Sequence, residues 1–175
     1  SKSNPVQLIN FDGSDDPYFN EAIEIISEGM DEYDKDSNQQ HEGPEMLRRY
    51  FKLLRNYILL WAAIERYISL RYGKGNDIRA NEMFALEPVF QESLRNHVGE
   101  ETRDIFRTDN LDRITLDANC PEDSIDYYYT IRCNIVHRGK IPPGDEPRKE
   151  EIVLKSLKEL LSIFNDVLKD TFNES

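Results

Sequence analysis

The stretch PEMLRRYFKLLRNYILLWAAIERYISLRY, running from Pro44 to Tyr72, decides the fold. It is almost free of helix breakers. Tyr50, Leu53, Leu54, Tyr57, Trp61, Ile64 and Ile68 recur at steps of three and four, which gathers them on one face of an α-helix. At 1.5 Å per residue such a helix is about 40 Å long, enough to span a small domain. The Gly73-Lys74-Gly75-Asn76-Asp77 turn closes it. That turn is no phosphate-cradling loop, because the spacing and the Ser or Thr after the lysine are missing. Glu65 is the misfit, falling inside the stripe between Trp61 and Ile68. A carboxylate buried there either holds its proton to higher pH or finds a cation. The alternative is that it lies at the margin of the stripe and reaches solvent.

Working outward, residues 1–16 read as a polar lead-in, and Asp15-Asp16-Pro17 as a helix start. A helix follows from Pro17 to about Asp36, with Phe19, Ala22, Ile23, Ile26, Met30 and Tyr33 on its apolar face. The polar segment Asp34–Gly43 reads as a loop, and His41 within it as an exposed loop histidine. Beyond the central helix, residues 82–118 form an elaborated segment. Met83, Leu86, Val89, Phe90 and Leu94 predict a helix that Pro88 interrupts or kinks. His97 lies near its apolar face, in a packing or surface role. A short helix is expected over about Glu101 to Arg107, before a loop through Asp109-Asn110. The final helix, 148–172, presents Val153, Leu157, Leu160, Leu161, Phe164 and Leu168 on one face. Between Ile141 and Pro147 lies a stiff, turn-rich connection. No strand pattern and no repeat is legible. The architecture implied is a single all-α domain over 1–175, an up-and-down helical bundle elaborated between its second helix and the helix at 121–138.

Composition narrows the function. Of 175 residues, 38% are hydrophobic and 32% charged, and the net charge is −12; the mean hydropathy is −0.69. No apolar run approaches a membrane span, and nothing reads as a secretory leader, so a cytoplasmic protein without membrane contact is expected. Cys120 and Cys133 make no disulfide framework, and with three histidines they offer no recognised metal-ligand spacing. Neither a metal nor another cofactor is implied. A chain this acidic does not coat nucleic acid through a broad basic face, yet it can hold one phosphate locally. Around residues 132–149 the balance reverses, with Arg132, Arg138, Lys140, Arg148 and Lys149 close together.

The helix at 121–138 carries the chemistry. Pro121 suits its first position, Glu122 and Asp123 face the positive end of its dipole, and Gly139 is its natural stop. At 100° per residue Ile125, Tyr128, Tyr129 and Val136 share an apolar stripe, and Arg132 falls inside it. A guanidinium on such a face keeps its charge and needs an anion from the protein or from a ligand. Glu65 is the complementary misfit, so the two are expected to meet directly or through water. Tyr127, Tyr128 and Tyr129 are read as filling a core or a dimer interface rather than stacking on bases. An open aromatic face of Tyr128 and Tyr129 would be costly in water and favours a homodimer. In a regular helix Arg132 and His137 project about 140° apart. They serve one site only if the helix end distorts, Arg132 reaches far, or a second subunit contributes.

Arg132, four intervening residues and His137, within Arg-Cys-Asn-Ile-Val-His-Arg-Gly-Lys, resemble the Arg-x4-6-His signature of the HEPN superfamily. The Asn-Ile-Val-His-x-Gly-Lys ending is similar to its Apea-like branch. The likeness covers chiefly Pro44–Tyr72 and Pro121 to the final helix. Where the family often has a polar residue, commonly Asn, directly after the arginine, this chain has Cys133, and Asn134 follows. The resemblance implies a helical, metal-independent endoribonuclease of toxin–antitoxin or antiviral type, often dimeric, with RNA as substrate and an antitoxin or regulatory protein as a possible partner. Two protomers would pair their motif helices around one cleft. Within it, His137 can move a proton at the ribose 2′-hydroxyl or the leaving oxygen. Arg132 can clamp the phosphate and stabilise its growing charge. Asn134 can orient the imidazole or bond a phosphate oxygen, with Glu65, Cys133, Arg138 and Lys140 in support. The other reading is a catalytically inactive helical module that binds RNA, a nucleotide or a partner protein in the same cleft. In that case Arg132 merely pairs with Glu65, and His137 caps its helix.

Overall fold

The computed structural model describes residues 16–36, 42–73, 78–138 and 147–173. They form six helices and one hairpin: α1 Pro17–Asp36, α2 Pro44–Tyr72, α3 Ile78–Ala85, α4 Pro88–Val98, β1 Arg103–Phe106, β2 Arg113–Leu116, α5 Pro121–Arg138 and α6 Pro147–Asn173. Every helix but α3 opens on a proline, whose fixed φ is already helical and whose missing N–H would be unpaired there anyway. Asp16 Oδ1 accepts the Tyr18 amide at 2.9 Å, which caps α1. Gly73 ends α2 at φ 68°, donating its amide to the Ser69 carbonyl at 2.9 Å.

The chain is an all-α bundle around α2. That helix packs against α1, α3, α5 and α6, while α4 lies on α6 and α3 on α5. Aromatic rings lock the centre together. Tyr67 of α2 meets Phe84 of α3 at 5.4 Å and Phe164 of α6 at 5.9 Å. Phe84 meets Phe90 of α4 at 4.9 Å, and Phe19 of α1 closes on Phe164 at 6.0 Å. All are edge-to-face pairs, the arrangement the ring quadrupole favours. Pro88 separates α3 from α4 rather than kinking one helix, because its ring cannot follow a helical residue without a break.

Residues 101–118 differ from the sequence expectation. In place of a short helix and a loop, β1 and β2 pair antiparallel in the register Arg103↔Leu116 to Phe106↔Arg113. Four-residue strands are too short for period-two alternation to show above noise, although Ile105, Ile114 and Thr115 carry the β-branched signal. The turn closes with Arg107 N–H on the Asp112 carbonyl at 2.9 Å and Leu111 at φ 62°. The hairpin leans on α5, where Arg107 Nη2 grips Asp126 at 2.9 and 3.1 Å.

The α5 face also needs correction. Ser124, Ile125, Tyr127, Tyr128, Thr130 and Ile131 are all buried, whereas Val136 is 49% exposed. Helix α5 is covered on several sides at once, by α2, α3, α6 and the hairpin, so no single stripe describes it. Tyr127 and Tyr128 lie wholly inside the chain's own core. Of the face of Tyr128 and Tyr129 that argued for a dimer, Tyr128 is therefore inside the core and Tyr129 is partly buried against Trp61.

Candidate functional site

The C-terminal half of α5 runs beside α2, and this places the two misfit charges together. Arg132 Nη2 lies 3.5 Å from Glu65 Oε1, with the two side chains 20% and 23% exposed. The contact is an ion pair without a hydrogen bond: Glu65 Oε1 is itself out of solvent and accepts none. The Arg132 guanidinium sits 5.5 Å from the centre of the Tyr129 ring, a cation–π arrangement. Tyr129 in turn packs edge-to-face on Trp61 at 5.2 Å. Burial, then the adjacent Cys133, raises the pKa of the Tyr129 hydroxyl, and Arg132 pulls it the other way. Cys133 is a half-buried thiol on the same turn.

Among the described residues Arg132 makes no hydrogen bond to the chain. A guanidinium carries five N–H donors in a fixed fork, and among the described residues none of them is committed to a hydrogen bond. The Tyr129 ring, backed by the buried Trp61, and the Glu65 carboxylate hold the cation in place.

Asn134 is turned elsewhere. Its Oδ1 accepts from the backbone N–H and the hydroxyl of Thr108, both at 3.2 Å, and its Nδ2 donates to the Phe106 carbonyl at 3.0 Å. The side chain is a clamp that ties α5 to the hairpin, where the sequence pointed to an imidazole or a phosphate oxygen as its partner. Helix α5 is regular through Arg138, so distortion does not relieve the 140° between positions 132 and 137. The side chains of His137 and Arg138, and Lys140 entirely, lie outside the described residues, as does His41.

A second arginine–glutamate pair was not legible in the sequence. Arg103 of β1 donates from Nη1 to Glu159 Oε2 of α6 at 3.0 Å and from Nη2 to Oε1. The Tyr128 hydroxyl donates to the same Oε1 at 3.2 Å, and Arg103 Nε reaches the Tyr127 hydroxyl at 3.4 Å. Burial lowers the Arg103 pKa, but its hydrogen bonds to Glu159 and Tyr127 outweigh that and hold it above the usual arginine value. Burial, with Glu159 beside it, raises Tyr128 far above the ordinary phenol.

His97 meets Asp166 across α4 and α6, Nε2 to Oδ2 at 3.3 Å, and the buried Ser93 hydroxyl donates to that same oxygen at 2.6 Å. Serine and histidine both address the carboxylate and not each other, so the trio joins two helices and has no nucleophile–base contact. No group of three or more His, Cys, Asp or Glu side chains among the described residues could hold a metal ion. No described helix is long and apolar enough to cross a membrane. Set against family models, curated proteins and solved structures, the chain matches none.

Proposed function

We propose that this chain is a metal-independent endoribonuclease of the toxin or antiviral-defence type, resembling the HEPN superfamily, in which Arg132 holds the scissile phosphate and His137 moves protons. The observation that carries the reading is the uncommitted guanidinium: Arg132 is held by Glu65 and Tyr129 while, among the described residues, its N–H donors make no hydrogen bond. A phosphate dianion or diester oxygen is the ligand that such a planar fork suits best. The substrate's 2′-oxygen would attack phosphorus as the bond to the 5′-oxygen breaks. One imidazole would take the 2′-hydroxyl proton, and another would give a proton to the leaving oxygen. The products are a 2′,3′-cyclic phosphate and a 5′-hydroxyl. Because α5 stays regular, the two roles are met most simply by a second copy. Val136, one turn beyond Arg132 and 49% exposed, gives that copy an apolar foothold.

The purified chain is expected to cut single-stranded or loop RNA in EDTA, leaving DNA and 2′-O-methylated RNA intact. His137→Ala should slow cutting by roughly 10²–10⁴-fold without unfolding the chain. Arg132→Lys, which keeps the charge but loses the fork, should also cut poorly. Equal cutting by wild type and His137→Ala would assign the activity to a contaminant, and a monomer at micromolar concentration in light scattering would sink the shared cleft. The commitment of Asn134 to the hairpin favours the second reading, an inactive module that binds RNA, a nucleotide or a partner protein. Arg132-dependent RNA binding without cleavage would establish it.

A further inference from the structure

The side of α2 turned away from the core carries one ridge. Arg48, Phe51, Arg55, Ile58, Ala62 and Glu65 follow at alternating steps of three and four, so they share a face of the helix, and none of the six is buried. One end of the ridge is Glu65, the partner of Arg132. The other opens into a shallow depression of about 410 Å³, lined by Pro44, Leu47 and Phe51 together with Arg48, Lys52 and Arg55. Phe51 is 56% exposed, and no large apolar side chain on the described helices is more open. Ile58, two turns on and half-buried, continues the apolar line towards Glu65. Arg48 and Arg55 lie one turn to either side of the Phe51 ring and have no partner among the described residues, while Lys52 pairs with Glu32 at 3.4 Å. No carboxylate interrupts the ridge before Glu65.

We propose that this ridge is a track for single-stranded RNA, which stacks a base on Phe51, sets the flanking phosphates on Arg48 and Arg55, and continues along α2 to Arg132. The inference rests on the RNA reading of the Arg132 site and adds to it the place where the strand is held away from the cut. An aromatic ring lying open between two cations suits a single strand of any sequence: the ring takes the planar face of a base, and the guanidiniums take phosphates. An acidic protein surface would meet the same arginines, but it offers the ring no planar partner, and its contact would not call for a ridge that ends at Arg132. Fourteen residues separate Phe51 from Glu65, about 21 Å at 1.5 Å per residue. At roughly 3.4 Å per stacked nucleotide, that is about six nucleotides. In a chain of net charge −12 so narrow a track, unlike a broad basic face, favours strands long enough to reach both of its ends.

The test is fluorescence anisotropy of the full chain with a labelled 2′-O-methylated RNA of about eight nucleotides, which cannot be cut, and with the same backbone lacking its bases. Phe51→Ala should weaken the complete strand by about fivefold or more and leave the abasic strand unchanged, and Phe51→Trp should keep the affinity. Arg48→Ala/Arg55→Ala should weaken both strands and lower the slope of log K against log salt by about 1.4, two phosphate contacts at about 0.7 each. All three positions are exposed, so these variants keep the fold. Binding that depends on Arg132 but is unchanged in Phe51→Ala and in the double arginine variant would overturn the track and leave the Arg132 site standing. An equal loss of both strands in Phe51→Ala would overturn the stacking. No binding of either strand by the unaltered chain would overturn the track together with the RNA reading on which it rests.

Discussion

Two arginine–glutamate pairs lie along α5, and their construction differs. Arg103 and Glu159 are 12% and 8% exposed, joined through both nitrogens and both oxygens, with the tyrosines of α5 filling what remains. Arg132 and Glu65 are about twice as open, 3.5 Å apart at their closest, and share no hydrogen bond. The first pair joins β1, α5 and α6 into one buried polar knot. The second leaves a partly exposed guanidinium over the Tyr129 ring, with no hydrogen bond among the described residues. Saturation marks a group that holds the fold, and an unspent donor marks a group available to a ligand. Residue type alone would have assigned both pairs the same role.

The sharpest way to break that contrast is to remove one charge from the saturated pair. Glu159→Gln leaves the enclosed Arg103 guanidinium with only the more open Glu101 carboxylate, 3.7 Å away, and the loss of a buried partner typically costs about 3–5 kcal/mol, the upper bound here. Equilibrium urea unfolding reads this directly, and a cost below about 1 kcal/mol would show that the knot contributes no more than a surface pair does.

A smaller effect is expected at Asn134. Its three hydrogen bonds to Phe106 and Thr108 lie at a partly open edge, where water can replace them. Asn134→Ala should therefore cost about 1–2 kcal/mol rather than the full sum of three bonds. Its distinctive sign is local: amide hydrogen exchange should quicken across the hairpin, residues 103–116, while the α2 core stays protected. Uniform quickening over the whole chain would mean that the clamp is global.

The long helices were legible because their apolar residues repeat over many turns. From Pro44 to Tyr72 the stripe returns often enough to outweigh any local exception, and the prolines mark where helices begin. The meeting of Glu65 with Arg132 was legible for a different reason, since a charge inside an apolar stripe demands an opposite charge. Three features were not. The hairpin's strands are four residues each, too short to establish a period. Glu159 lies at the edge of the α6 stripe, where a charged residue looks like ordinary solvated surface, and only the fold of β1 against α6 brings Arg103 to it. Asn134 sits in a motif that draws attention to chemistry, while its actual partners come from a hairpin that the sequence did not reveal.

The smallest expected effect is the most telling. Had Glu65 and Arg132 been fully enclosed, separating them would cost about 3–5 kcal/mol. Both are instead partly exposed, and Glu65 Oε1 is out of solvent without a hydrogen bond. Its charge thus carries an uncompensated desolvation cost that offsets much of the attraction to Arg132. Glu65→Gln removes both terms together, so its unfolding free energy should change by no more than about 1 kcal/mol. The consequence should appear in binding. With the carboxylate neutralised, Arg132 no longer has a competing anion at its shoulder, and a short 2′-O-methylated RNA, which cannot be cut, should bind more tightly than to wild type. The gain should vanish in Glu65→Gln/Arg132→Ala. If Glu65→Gln costs as much as Glu159→Gln, or leaves RNA affinity unchanged, the two pairs are alike and Arg132 belongs to the scaffold.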